Sequence, residues 1–328
     1  MAELRAGLIG LGQMGRHHSR VLRQLAGVDL VAIVDPHVPA DQRPDDVRFC
    51  DSIEEMLEVG VDLCVVATPT QTHLRVGLQL AAAGVHTMVE KPVAADVDAA
   101  ATLAKAFADR GLVGCVGHIE RFNPSLQELR KRLAHGELGE LYQVATRRQG
   151  PFPARIADVG VILDLATHDI DSTAWVTGRS YTSVAARTAH RSGREHEDLV
   201  AAVAGLEGGV VANHIVNWLS PLKERVTVVS GERGSFVADT VSADLTFFAN
   251  GVQPVAWDTM QSFQGVVQGD MIRYAIAKPE PLVVELQAFR DAVLGERNDV
   301  VTMQEASDVV LVATAMKESA RIGTTQQL

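Results

Sequence analysis

Residues 4–15 read LRAGLIGLGQMG, an apolar run followed by a GxGxxG whose last glycine stands where a helical pattern begins. In that setting Gly10 permits a tight turn, Gly12 lets the backbone approach a pyrophosphate, and Gly15 allows close packing of helix on strand. The N–H groups at the helix start, around Gln13 and Met14, then face the phosphates, and the helix dipole favours their charge. A ligand-free glycine turn has the same spelling, so the motif draws its meaning from its place between strand and helix. Asp35 ends the next apolar run, VDLVAIVD (28–35). A carboxylate there accepts hydrogen bonds from a ribose diol and repels a 2′-phosphate, which favours NAD over NADP. Arg43, in the following loop, would partly compensate for that repulsion and leaves NADP open. The plain alternative is an Asp that caps a turn before Pro36.

Working outward, strand candidates at 4–10, 28–35, 61–69, 85–92 and 111–118 alternate with helical patterns near 13–26, 52–58, 70–83 and 96–110. Strands separated by helices read as βαβ units, and fully apolar strands such as Leu63 to Ala67 imply cover on both faces of a parallel, doubly wound sheet. After about residue 122 the pattern changes. A helical stretch (124–134), a strand candidate (141–149) and a Pro-rich loop (150–160) precede a helix from about Leu163 to Val176. Several β-rich runs between 181 and 248, spaced by Gly, Asp and Asn, predict a largely antiparallel open sheet. Helical patterns at 282–294 and 304–321 close the chain. The expected division is a dinucleotide-binding Rossmann domain over 1–122 and an α/β substrate-binding and oligomerisation domain over 123–328.

Composition agrees. At 328 residues the chain exceeds the ~250–300 at which a single core stops growing. It is 47% hydrophobic but only 5% aromatic, which suits buried aliphatic strands. Thirty Lys and Arg against 41 Asp and Glu leave a net charge of −11, which argues against nucleic acid or an anionic membrane as partner. Cys50, Cys64 and Cys115 show no metal-binding or redox spacing, and the sequence has neither a signal-peptide pattern nor an apolar run of about 18 residues. The expectation is a cytoplasmic protein.

Thr68, Thr70 and His73 follow the strand at 61–67, at the carboxyl end where open α/β sheets bind ligands. Thr70 reads equally well as the N-cap of the next helix. His17 and His18 read as solvated helix residues. ATPTQTH (67–73), EKP (90–92), GHIERFNP (117–124), DLATHDID (164–171) and PLVVELQAFRDAV (281–293) together resemble the glucose–fructose oxidoreductase / inositol dehydrogenase (Gfo/Idh/MocA) family. The resemblance implies an NAD-binding Rossmann domain that includes Glu90 and Lys91, and a second domain whose open sheet joins homodimers or homotetramers. It implies a Lys91–Asp164–His168 constellation at the nicotinamide, and a cis peptide at Pro92. The RFNP stretch and the GPFPARI loop resemble those of nucleotide-sugar 3-dehydrogenases, UDP-N-acetylglucosamine 3-dehydrogenases in particular.

The chemistry of these residue types agrees with that implication. Hydride leaving a carbinol carbon requires a partner that takes the hydroxyl proton, a task suited to His or an environment-tuned Lys. Asp164 and His168 stand at i and i+4 on one helical face, so the carboxylate can orient the imidazole or bind a substrate hydroxyl. His168 is the preferred base, with Lys91 second. Asp169 and Asp171 read as structural. A zinc site at Asp164 and His168 lacks a third ligand at suitable spacing. Arg121, Asn123 and Arg155 are candidates to hold a substrate phosphate or carboxylate; the alternative reading is that both arginines pair with acidic neighbours such as Glu120 or Asp158. The expected function is oxidation of a ring hydroxyl of a sugar or nucleotide sugar. An inositol or polyol dehydrogenase and a catalytically silent NAD-binding sensor are the competing readings, and a sensor would be expected to have lost Lys91 and the Asp164–His168 pair.

Overall fold

The structure, a computed structural model, describes residues 3–153, 159–251, 267–296 and 299–328. The chain divides into two compact units: Met1–Ile119 with Pro279–Thr314, and Glu120–Lys278 with Ala315–Leu328.

The first unit carries strands β1 (Leu4–Ile9), β2 (Val28–Val34), β3 (Arg48–Cys50), β4 (Leu63–Val66), β5 (His86–Glu90) and β6 (Gly114–Gly117). All pair in parallel, in the order β3-β2-β1-β4-β5-β6. Helices α1 (Gln13–Leu22), α2 (Ile53–Val59), α3 (Thr70–Ala82) and α4 (Val97–Ala108) connect them. Ser52 caps α2 by accepting from the Glu55 N–H, and Asp96 caps α4 through Ala99, whereas α1 begins at Gly12 with no side-chain cap. Its first N–H groups therefore have no side-chain acceptor at the cap.

Alternate residues of each strand enter different cores. Ala32, Val34, Cys64, Val66 and Val89 pack with α2, α3 and α4 on one face. Ile33, Leu63, Val65 and Met88 pack with α1 on the other. The C-terminal segment completes both layers. In α7 (Pro281–Val293), Leu282, Leu286 and Phe289 join the α1 face, while Met303, Ala306 and Val310 of α8 (Met303–Ile322) join the opposite one. Val301 also accepts a hydrogen bond from Val116 N–H on β6. The expected second domain over 123–328 is thus corrected for 279–314, whose apolar faces cover the parallel sheet.

The second unit opens with α5 (Pro124–Ala134) and β7 (Leu141–Pro151). A π-turn at Ile162–Ala166 then leads into α6 (Thr167–Thr177). Strands β8 (Tyr181–Ala189), β9 (Leu199–Leu206), β10 (Val211–Asn217), β11 (Leu219–Gly231), β12 (Gly234–Asp239), β13 (Asp244–Gly251), β14 (Val267–Arg273) and β15 (Gln326–Gln327) follow. Among the described residues the sheet has nine strands, in the order β14-β13-β12-β11-β7-β10-β9-β8-β15. It is antiparallel except at β7–β10, a parallel pair, so the sheet is mixed. Burial alternates along β9 and β10, as expected for a sheet with one covered face.

Candidate active site

Gly10 has φ +93° and donates its N–H to Val34 O at 2.8 Å; a Cβ there would lie 2.5 Å from Ala67 O. A Cβ on Gly15 would lie 2.0 Å from Gly10 O, so only glycine lets α1 approach the turn this closely. A Cβ on Gly12 would meet nothing within 4 Å, which leaves the backbone open on the side a phosphate would approach. The tight turn expected of Gly10 and the close helix packing expected of Gly15 are both present.

Asp35 is fixed at the end of β2. Its Oδ2 accepts from Leu11 N–H at 2.7 Å and its Oδ1 from His37 N–H at 2.9 Å. The turn-capping role is therefore real, and each carboxylate oxygen retains acceptor capacity for a hydroxyl. Asp35 borders a cavity of about 490 Å³, with Gly10, Gly12, Thr68, Pro69 and Thr72 in its wall. Arg43 is engaged elsewhere: its guanidinium lies 4.3 Å from the Phe49 ring centroid and 3.4 Å from Asp51 Oδ1.

At the end of β4 the Thr68 and Thr72 hydroxyls are 2.6 Å apart, and Thr72 Oγ1 also donates to Pro69 O. Thr70 is the first residue of α3 rather than its cap, which is Pro69. Thr72, Arg75 and Gln79 line the cavity from one face of α3. Sequence reasoning missed all three, although their helical spacing from Thr68 was the available signal. His73 is buried, with Nδ1 3.0 Å from Pro92 O and Nε2 2.9 Å from Thr68 O. Expected as a cofactor contact, it instead ties the β4 turn to the turn after β5. Burial pulls its pKa below the usual histidine value.

The Lys91–Pro92 peptide is cis, and Lys91 is half-buried. Glu90, also expected at the cofactor, turns its carboxylate to His18: Nε2 lies 2.7 Å from Oε1. His18 is 0% exposed, which corrects its reading as a solvated helix residue.

In the second unit Asp164 lies buried in the π-turn, and His168 is half-buried in the first turn of α6. A bed of buried ion pairs accompanies them. Arg148 donates to Asp169 Oδ1 and Glu120 Oε1, both at 2.9 Å, and Arg225, opposite it on β11, reaches Glu120 at 3.4 Å. Burial pushes the Asp169 carboxyl up. It also pushes Glu120 up, but there the Arg148 charge prevails and holds the carboxyl below its usual range. The Asp164 charge acts on Arg225 as well.

Two expected substrate residues are corrected here. Arg121 is 5% exposed and its guanidinium lies on Asp171, with Nη2 2.7 Å from Oδ1. Asn123 caps α5 through Ser125 N–H and donates its amide to Thr240 O. Both side chains hold structure together. Arg155 and Asp158 lie outside the described residues. Among the described residues, no three His, Cys, Asp or Glu side chains group as metal ligands would.

Residues 4–118 match the oxidoreductase family described by an NAD-binding Rossmann fold, and residues 126–237 match the GFO/IDH/MocA C-terminal domain. The chain belongs to the GFO/IDH/MocA oxidoreductase family. It is 35% identical to UDP-N-acetylglucosamine 3-dehydrogenase of Acidithiobacillus ferrooxidans, over 65% of this chain and 66% of that protein. It is 25% identical to scyllo-inositol 2-dehydrogenase (NAD(+)) of Bacillus subtilis, over 99% of this chain and 96% of that one. The solved structure of the Acidithiobacillus enzyme superposes with a TM-score of 0.84 at 26% identity, covering 98% of this chain and 99% of that one. The glycine turn, the Asp35 carboxylate and the open cavity beside them fit the dinucleotide that the family description names.

Proposed function

We propose that this protein is an NAD-dependent dehydrogenase acting on a ring hydroxyl of a sugar or nucleotide sugar, with UDP-N-acetylglucosamine-like sugars as the favoured class. The observation that carries the reading is the anchored Asp35 carboxylate beside the glycine turn, at the rim of an open cavity. The retained Lys91, Asp164 and His168 support catalysis over a silent sensor. Gly12 and the first N–H groups of α1 would receive the pyrophosphate, and Asp35 the adenosine ribose. When bound, NAD supplies the acceptor for the hydride that leaves the carbinol carbon. In our reading His168 takes the hydroxyl proton, and Asp164 keeps the imidazole oriented and favours its protonated form. Lys91 donates a hydrogen bond to the same oxygen as it becomes a carbonyl.

Among the described residues no helix is long and apolar enough to cross a membrane. The free thiols Cys50, Cys64 and Cys115 are buried, which suits the reducing cytoplasm we assign to the protein. We also assign the open face of the second sheet to a homodimer or homotetramer contact, because Val203, Val211 and Ile215 stand exposed on neighbouring strands.

The test is a panel of UDP-N-acetylglucosamine, other UDP-sugars, inositols and free sugars with NAD and NADP, read by the absorbance of reduced nicotinamide. We expect turnover with NAD on a nucleotide sugar, and a loss of about 10²-fold or more in Lys91→Met or His168→Asn. Turnover confined to inositols would replace the substrate assignment. A preference for NADP would defeat the role given to Asp35.

A further inference from the structure

We propose that His18 is a positioning residue for Lys91, acting through the Glu90 carboxylate; the proposal rests on the dehydrogenase reading above. His18 follows Gly15 by one helical turn, so the close approach of α1 to the sheet carries its ring inward until no surface remains exposed. Its Nε2 meets Glu90 Oε1 at 2.7 Å, while Nδ1 has no hydrogen-bond partner among the described residues. The geometry therefore points to an imidazole that donates from Nε2 to an ionised Glu90.

The other carboxylate oxygen, Oε2, accepts from the Lys91 N–H at 3.2 Å, which fixes the peptide unit from which the lysine side chain departs. Gly117, paired with Glu90 across β5 and β6, supplies the space: a Cβ there would lie 3.3 Å from the carboxyl group. From the far side, His73 holds the Pro92 carbonyl. Among the described residues, the groups whose electrostatics couple to Glu90 include His18 from α1, Lys91 on its own strand end and the ring of His73 from α3, while β6 pairs a glycine with it. Burial pushes the Glu90 carboxyl up, yet the hydrogen bond and charge of His18, followed by the Lys91 charge, bring it below the usual carboxylate range. Without the His18 donor, burial prevails, so the carboxyl takes up a proton at higher pH and releases its hold on the lysine.

His18→Leu removes the donor, His18→Gln places an amide N–H near the Nε2 position, and Glu90→Gln removes the charge. Two readouts apply: the pH profile of kcat/KM with the NAD Kd measured separately, and the rate at which an amine-acylating reagent modifies Lys91, followed by mass spectrometry on protein without substrate. In His18→Leu and in Glu90→Gln we expect kcat to fall and Lys91 acylation near neutral pH to rise, each about tenfold, the equivalent of one pH unit. In His18→Leu the acid limb of the profile should move to higher pH while the NAD Kd stays within about twofold. His18→Gln should restore both readouts. The proposal is overturned if the acid limb and the acylation rate of His18→Leu match those of the parent, or if His18→Gln is as impaired as His18→Leu. Should His18→Leu not fold, Glu90→Gln must be impaired and His18→Gln not; equal behaviour of those two overturns it. A parent protein without turnover, but with Lys91 acylation that responds to His18→Leu and not to His18→Gln, would end the dehydrogenase reading and leave this one standing.

Discussion

His214 sits inside the second sheet with no surface exposed, its Nδ1 2.8 Å from Thr146 Oγ1 and its Nε2 2.9 Å from Tyr181 Oη. Burial pulls its pKa down to about 4. Between that value and the ~6.5 of an unfolded histidine, the unfolded chain binds a proton that the folded chain does not, so stability rises with pH across this window. Acidification from pH 6.5 to 4 should therefore remove on the order of 3 kcal/mol. Urea melts at several pH values should show a shallower acid loss in His214→Gln than in the parent, and parallel curves would contradict the assignment. At this scale the sequence yielded what depends on local backbone: the three glycines and Asp35 after β2 have the places their spacing requires. It did not yield the partners of buried charges. Arg121 meets Asp171 and His18 meets Glu90 across 50 and 72 residues, pairings that only the folded topology creates. The same cause hid Asn123, whose spelling before Pro124 is that of a helix cap as much as of a ligand site.

The two C-terminal helices show what a pattern of apolar residues can and cannot specify. The spacing of Leu282, Leu286 and Phe289 announces one buried face of α7, but not the sheet that buries it. Adjacency in sequence suggested the second unit, whereas α7 and α8 complete the two layers over the parallel strands. Leu286→Ala should then cost about 2–5 kcal/mol, and because that loss falls on the unit bearing the glycine turn, added NAD should restore part of it. A thermal melt with and without NAD measures both; a variant melting like the parent would contradict this placement of α7. The alternation of strands and helices in the first unit was legible because β1, β2 and β4 are built mainly of apolar residues. Strand β3 spans only three residues, and β12 opens with Gly234, so neither carries enough apolar pattern to be recognised alone. The parallel pairing of β7 with β10 was hidden for another reason: strand spelling records burial, not the direction of the neighbour.

For the whole molecule, the acidic balance, the parallel sheet with its glycine turn and the second, mixed sheet all agree with the oxidoreductase family that the comparisons show. The open face of that second sheet bears on assembly. Val203→Glu with Ile215→Glu should convert the proposed oligomer to monomers in light scattering, since like charges would then face one another across a symmetric contact. An unchanged mass would remove this face from the assembly. The account as a whole stands on hydride passing from a sugar carbon to nicotinamide. The most direct measurement supplies NAD and UDP-N-acetylglucosamine deuterated at every ring carbon, then weighs the reduced dinucleotide by mass spectrometry. The account predicts NADH carrying one deuterium. Protium-only NADH, or no reduction by this or any other ring-deuterated sugar, would contradict it.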